Sequence, residues 1–400
     1  MDLVSPQPFW LLKNGLLGEY PSLKENVRCD VLVLGAGISG AFVAEKLARA
    51  GLDVVVIDKR DVGAGSTSAS TALLQYEIDK SLVELTRLIG RSDAERAYRA
   101  CYQSIDTVEH LVDELALPCG FQRKPSAYFA VKDSDAESLR EECAARKAMQ
   151  IEVEYLEAAE ISARFSFARP AALISNQAAQ VDCHRLAHAL LKRATALGAR
   201  IFDRTRAEEI EPKSGGVRLK TDRGCVIKAG EVVFATGYES QEYLPCKVVK
   251  LKSTYAVASE PLAAFPGWWE RCLIWETARP YLYLRTTEDG RALVGGEDDP
   301  FRNPERRDGL VGKKSEHLAR RFRAMFPGID FAVDYQWAGT FGETEDGLAY
   351  IGEIRQMPSC HFVLGFGGNG ITYSVIAAEI IHETLAGRTH SDAHLFRFDR

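Results

Sequence analysis

Three glycines in the stretch Gly35-Ala36-Gly37-Ile38-Ser39-Gly40 have the spacing G-x-G-x-x-G, which could bring main-chain N–H groups against a pyrophosphate. The first glycine permits a tight turn, the second lets the phosphates approach the backbone, and the third allows a helix to lie close to a strand. Asp58, 18 residues beyond Gly40 and followed by Lys59, offers a carboxylate that accepts from a ribose 2′-OH and repels a 2′-phosphate. These groups need a strand before the glycines, a helix after them and a second strand ending at the acid. The apolar run Cys29 to Leu34, the helix-forming stretch Ala41 to Ala50 closed by Gly51, and the strand Asp53 to Ile57 supply all three. The combination predicts a bound dinucleotide and a helix start that cradles its diphosphate, without choosing between FAD and NAD.

Other clusters bear on that choice. Just after Asp58 comes Gly63 to Thr71, in which Ser66, Thr67, Ser68, Ser70 and Thr71 offer hydroxyls to phosphate or ribityl oxygens. Val232 to Gly237 reads as a buried strand ending in the small-residue turn Ala235-Thr236-Gly237. A second strand-to-helix turn, Gly365-Phe366-Gly367-Gly368-Asn369-Gly370-Ile371-Thr372, could deliver another helix N-terminus to a ligand.

For the reacting partner the candidates are Tyr281, Tyr283 and Arg285, which alternate along one strand face, preceded by Trp275 and Glu276. Aromatics there would wall a pocket, and Arg285 or Glu276 would fix a charged group; alternatively they cover core. Gln75 and Tyr76, next to the hydroxyl-rich loop, could also reach it. No catalytic base stands out. His184 and His188 are spaced as i, i+4 on a helix, but lack an intervening glutamate and a third ligand, so no metal is expected. Acidic runs such as Glu157 to Glu160 and Glu297 to Asp299 read as solvated faces.

The 400 residues suit two domains, or one large α/β unit with a second lobe, and 46% hydrophobic content is enough for a sizeable core. With 50 Lys plus Arg against 56 Asp plus Glu, the net charge of -6 gives no basic field, and nucleic-acid binding is not expected. Nine scattered cysteines without a C-x-x-C pair suggest reduced thiols and a cytoplasmic location. Gln356 to Ala378 lacks charged residues, but its proline and glycines make it a strand, loop and helix instead of a membrane span. Helices are expected between Ile78 and Leu117, with a capping box at Ser92 and Glu95, then from a second box at Ser134 and Glu137 to about Gln150, and from Leu186 to Leu197. Ile201 to Thr221 and Val226 to Phe234 read as antiparallel strands with a Gly215-Gly216 turn.

Taken in order, the fingerprint, the GAGSTSAS loop, the Val181-Asp182 pair before a helix, the VVFATG turn and the closing ETEDGLAYIG…LGFGGNGIT resemble the FAD-dependent D-amino acid oxidase (DAO) superfamily of glycine and sarcosine oxidase-like enzymes, over roughly residues 28 to 385. The resemblance implies an α/β fold in which a Rossmann-type FAD-binding domain (28–75, 150–240 and 335–390) interleaves with a mixed or antiparallel-sheet substrate domain of α+β type (76–149 and 241–334), after an N-terminal extension (1–27). It implies the AMP half of FAD at Gly35, Gly37, Gly40 and Asp58, and the diphosphate and ribityl chain along Ser66 to Thr71. Val181 would lie beside the adenine and Gly367 to Thr372 at the isoalloxazine. The implied activity is oxidation of the C–N bond of a small amine or amino-acid derivative by hydride transfer to the flavin, followed by imine hydrolysis, with oxygen or another acceptor taking the electrons.

Two departures shape that expectation. Where amino acid oxidases of the superfamily carry an arginine for the substrate carboxylate, spacing puts Phe341, which favours an amine over a simple α-amino acid. Where relatives attach flavin covalently through histidine or cysteine, this chain has Ala69 and Gly339, which implies non-covalent FAD. The rival readings are an NAD(P)-dependent dehydrogenase, which leaves the C-terminal glycine loop unexplained, and a flavin-binding subunit without turnover of its own.

Overall fold

The computed structural model describes residues 1–213 and 215–400. The apolar run after residue 26 forms the strand Val27–Leu34, which pairs in parallel with Val54–Ile57 on one side and Val226–Phe234 on the other. Val54–Ile57 and the C-terminal ends of the other two strands, Val31–Leu34 and Val232–Phe234, are buried on both faces, as parallel strands covered by helices must be. Their sheet has eight strands. Its main path runs Tyr350–Ile354, Met357–Leu364, Val226–Phe234, Val27–Leu34, Val54–Ile57, Arg200–Phe202, and the hairpin Ala207–Lys213 and Gly216–Thr221 hangs from Val226–Phe234. The segment Ile201 to Thr221 divides: Ile201 and Phe202 join the parallel edge with Arg200, and the antiparallel hairpin Ala207–Lys213 and Gly216–Thr221 follows.

A second sheet of nine strands follows the order Val333–Glu343, Lys250–Ser259, Ala292–Asp299, Tyr283–Thr286, Leu273–Glu276, Gln122–Phe129, Ala171–Gln180, Leu73–Gln75, with Glu154–Glu157 beside Ala171–Gln180. Its pairs are antiparallel except that of Leu273–Glu276 with Gln122–Phe129. Strands Leu73–Gln75, Glu154–Glu157, Ala171–Gln180 and most of Val333–Glu343 fall in segments expected to belong to the dinucleotide lobe, yet they pair here. Backbone pairing across long sequence separations decides membership, and no local pattern carries it.

Helix Ile38–Arg49 opens directly from the first glycine turn, and helix Gly370–Leu385 from the last. They lie side by side, with Ser39 Oγ and Ser374 Oγ 2.7 Å apart near their N-terminal ends, so the two turns face the same space. The capping box forms at Ser81 and Glu84, before helix Leu82–Ile89. Ser92 and Ser134 do not cap, because helices Arg91–Glu114 and Asp133–Ala148 each start one residue earlier and enclose them. Among the described residues no helix is long and apolar enough to cross a membrane. All nine cysteines are free thiols.

Candidate functional site

A long cleft of about 2090 Å³, its open mouth included, runs between the two sheets. At one end the first glycine turn is built with no room for a side chain. A Cβ on Gly40 would sit 1.8 Å from the Gly35 carbonyl oxygen, and one on Gly35 would sit 2.4 Å from that of Ala235. The helix therefore reaches close enough to the strand for its first amides to face the cleft. Gly35, Gly37, Ile38 and Ser39 line it, whereas Gly40 and Ala36 stand behind. Asp58 accepts from Ala36 N at 2.7 Å and Arg60 N at 2.8 Å, one bond per oxygen, so lone pairs remain for a ligand. Burial raises its pKa, while the two N–H groups pull the other way. Lys59 lines this end too and pairs with Glu239 at 2.8 Å, beside Ala235, Thr236 and Gly237.

Along the middle, Ser66, Thr67, Ser70 and Thr71 face the cleft. Thr67 Oγ1 accepts from Ile38 N at 2.9 Å, and Ser66 Oγ is buried with no protein partner, a group left for a ligand. Ser68 does not face the cleft, since its hydroxyl turns back to Gly65 O. Three large side chains grip this segment by its carbonyls: Trp337 donates to Ala69 O at 2.8 Å, Trp10 to Ser70 O, and Arg285 to Thr71 O and Ala72 O at 3.1 and 2.7 Å.

That grip corrects the expectation for Arg285. The side chain is 2% exposed, also donates to Val181 O and Thr286 O, and does not line the cleft. Burial without a carboxylate partner lowers its pKa to about 10. Val181 is likewise withdrawn, its carbonyl engaged by Arg285 and its side chain in the core. Glu276 is buried in ion pairs with Arg321 and Arg169, and Tyr76 is bonded to Arg146, so neither reaches the cleft.

The far end is walled by Tyr281, Tyr283, Gln75, Phe341 and Trp275, whose ring stacks on Tyr128 at 3.7 Å. Gln75 donates to Ser126 Oγ at 3.0 Å. Burial raises the Tyr283 pKa to about 12 and that of Tyr281 further, which keeps both phenols protonated. The second glycine turn closes this end with Gly367, Gly368, Asn369, Gly370 and Ile371. Asn369 Nδ2 ties it to the carbonyls of Gln75 and Glu77 at 3.0 and 2.9 Å. Thr372 is turned inward, donating to Asn369 O, and stands off the cleft. The Gly368 amide donates to Asp79 at 3.1 Å, leaving the amides of Gly370 and Ile371, at the helix start, without intrahelical acceptors.

Asp79 and Asp298 are functional candidates that sequence reasoning passed over. Asp298 lies in the run assigned to a solvated face, but its neighbours Glu297 and Asp299 pair outward with His317, Arg321 and Lys314 while it lines the cleft. The strand's period of two was the available signal. Burial pushes the Asp298 carboxyl up to about 6, with Thr254 and Lys252 opposing and Glu343 and Asp79 reinforcing. Asp298 Oδ1 and Trp275 Nε1 are both buried without protein partners. For Asp79 no local pattern existed; its place depends on the chain bend after Gln75. Burial raises its pKa as well, against the Gly368 N–H.

His184 and His188 pack ring to ring at 4.7 Å beside Gly63, and burial lowers the pKa of His184 to about 4. The described residues bring no third His, Cys, Asp or Glu ligand to them. Cys183 lines the cleft, but its thiol donates to Thr67 O and burial raises its pKa, so it is no nucleophile.

A parallel-sheet cleft with a phosphate-cradling glycine turn at one end and a second helix start at the other defines a dinucleotide-binding oxidoreductase of the flavin type, and the glycine cradle and the unpaired Ser66 hydroxyl fit FAD. The family model for FAD dependent oxidoreductases of the DAO type matches residues 30–384, and the chain belongs to that family. It is 29% identical over 370 residues to glycine oxidase of Bacillus licheniformis, covering 90% of this chain and 94% of that protein. With gamma-glutamylputrescine oxidoreductase of Escherichia coli (strain K12) it shares 24% identity over 380 residues, 92% of this chain and 86% of the other. The crystal structure of glycine oxidase from Geobacillus kaustophilus superposes with a TM-score of 0.76 at 21% identity, covering 91% and 96% of the two chains. The protein is thus an FAD-dependent oxidoreductase.

Proposed function

We propose that this enzyme oxidises the C–N bond of a small amine that lacks a simple α-carboxylate, using non-covalently held FAD. Gly35, Gly37 and the first amides of helix Ile38–Arg49 would hold the diphosphate, with Asp58 on the adenosine ribose. Ser66, Thr67, Ser70 and Thr71 would follow the ribityl chain, and Gly367 to Ile371 would meet the ring. Ala69 and Gly339, which border the cleft, have no side-chain nucleophile for a covalent link. When bound, FAD supplies a two-electron acceptor for the hydride on the carbon beside the substrate nitrogen. The protein's part is to bind and orient that carbon against the ring, between Tyr281, Trp275 and the glycine turn, and to exclude bulk water until the imine forms. The first-turn amides of Gly370 and Ile371 would favour negative charge at the ring edge. The nine free thiols support a reducing, cytoplasm-like compartment.

The observation that carries this reading is the far wall: Phe341, Trp275, Tyr281 and Tyr283 line it, and no arginine does. Supporting it, the relatives include gamma-glutamylputrescine oxidoreductase, whose name is that of an amine derivative. The test is anaerobic mixing of the yellow protein with primary amines, N-methyl amino acids, D-amino acids and proline analogues, following loss of flavin colour and release of carbonyl product. The expected result is bleaching by an amine without an α-carboxylate. Bleaching by dithionite alone would leave a flavoprotein without this activity.

A further inference from the structure

The far end of the cleft is acidic, and its acids are not neutralised from within. Charged side chains lining it there are Glu77, Asp79 and Asp298. Glu77 is ion-paired through one oxygen with Arg146 at 3.2 Å deep in the core, its other oxygen being buried without a hydrogen bond. Asp79 and Asp298 have no ion-pair partner among the described residues, and Asp298 Oδ1 is buried without any hydrogen bond. Both carboxylates act on the Tyr281 phenol, so they flank one short stretch of wall.

The nearest cations relieve this charge only in part, and neither forms an ion pair with it. Lys252, on the adjacent strand, is held by Glu343 at 2.6 Å, and Arg279 is exposed, its guanidinium 5.0 Å from the Tyr281 ring. The lining bases Lys59, Arg60 and Arg206 all stand at the opposite end of the cleft, with Asp58. An anionic group entering beside Asp298 would therefore meet like charge, whereas a cation would meet a carboxylate flanked by the Tyr281 and Tyr283 rings.

Resting on the amine-oxidising reading above, we propose that the substrate is an alkylamine with a second ammonium group, its distal charge held by Asp298 against Tyr281 and Tyr283. Its reacting nitrogen then lies toward Asp79 and the Gly367-Gly368 turn. The reacting nitrogen passes its proton to the Asp79 carboxylate before hydride leaves its carbon, so Asp298 matches the charge the substrate keeps and Asp79 the proton it gives up. A monoamine leaves Asp298 desolvated and unpaired, and an amino acid puts its carboxylate against it, so the site discriminates by repulsion as well as attraction.

Binding can be separated from oxidation by using dithionite-reduced holoenzyme, which cannot take a hydride. Anaerobic calorimetric titration should show 1,4-diaminobutane binding at least about tenfold tighter than n-butylamine or 4-aminobutanoate. In Asp298→Asn, with flavin content and circular dichroism retained, the diamine should lose at least about tenfold in affinity, and Asp298→Glu should restore part of it. Equal or tighter binding of 4-aminobutanoate, or an Asp298→Asn variant that keeps the diamine preference, overturns the proposal. If the diamine preference holds and depends on Asp298 while no amine bleaches the oxidised flavin, the assignment of the charge site stands and the redox reading fails. If a monoamine bleaches it and the diamine does not bind, the charge site fails and the redox reading stands.

Discussion

The two ends of the cleft are made of different materials. The diphosphate end is backbone: glycines placed where a Cβ would collide with a carbonyl oxygen, and amides at a helix start. The far end is side chains, with Trp275 and Tyr283 from neighbouring antiparallel strands, Asp298 from the next strand, and Asp79 from a chain bend some two hundred residues earlier. A backbone site needs its residues contiguous and is fixed by what they lack. A side-chain site is assembled by pairing and can be retuned one residue at a time.

The sharpest way to break that contrast is at Gly40. Gly40→Val forces a side chain into the Gly35 carbonyl, 1.8 Å from its Cβ, and should abolish bound flavin and cost several kcal/mol of stability, at the upper end of single-substitution effects. Flavin content and thermal unfolding of the purified variant measure both. A yellow, stable Gly40→Val protein would show that the helix does not need its close approach to the strand.

Arg285 tests the boundary between the ends. Because its guanidinium satisfies four main-chain carbonyls beside the Ser66–Thr71 segment, Arg285→Met should lower stability by about 3 kcal/mol through orphaned acceptors. Turnover per bound flavin should change by less than about twofold, since uniform positioning and not substrate contact is lost. A stable variant with selectively raised KM would instead return Arg285 to the substrate.

The smallest of these effects is a pH dependence confined to the far end. A carboxyl at about 6, raised by burial, is charged above that pH and neutral below it, so affinity for a dication should fall as pH drops through 6, approaching tenfold per unit. The groups facing Asp298 are Thr254, Lys252, Glu343, Asp79, Tyr281 and Tyr283. The two tyrosines titrate far above this range, Lys252 is paired with Glu343, and Asp79 is the one neighbour whose own protonation broadens the profile. Binding to the reduced holoenzyme in Asp298→Asn should lose the step at 6. A step that survives belongs to Asp79.

This contrast also explains what the chain made legible. Gly35 to Gly40, Asp58 and Gly367 to Ile371 were readable because strand, turn, conformational freedom and helix follow one another within a few residues. Tyr281 and Tyr283 were readable as one strand face, but that parity could not say that Arg285, two residues further, would reach past the cleft to the carbonyls of Thr71, Ala72 and Val181. Asp298 was hidden in plain sight: three consecutive acids look solvated until strand pairing turns the middle one inward. The lobes were legible as two sheets, but the strands Ala171–Gln180 and Val333–Glu343 join the second sheet through partners far away in sequence, which composition does not record.

The central claim is that one molecule of FAD spans both ends, so that each contributes to holding it. The most direct test is titration of flavin-free protein with FAD and, separately, with FMN, following quenching of flavin fluorescence. The account predicts stoichiometric, tight binding of FAD and weak binding of FMN, which lacks the adenosine half that the Gly35 turn and Asp58 would grip. Equal affinity for the two flavins would contradict it.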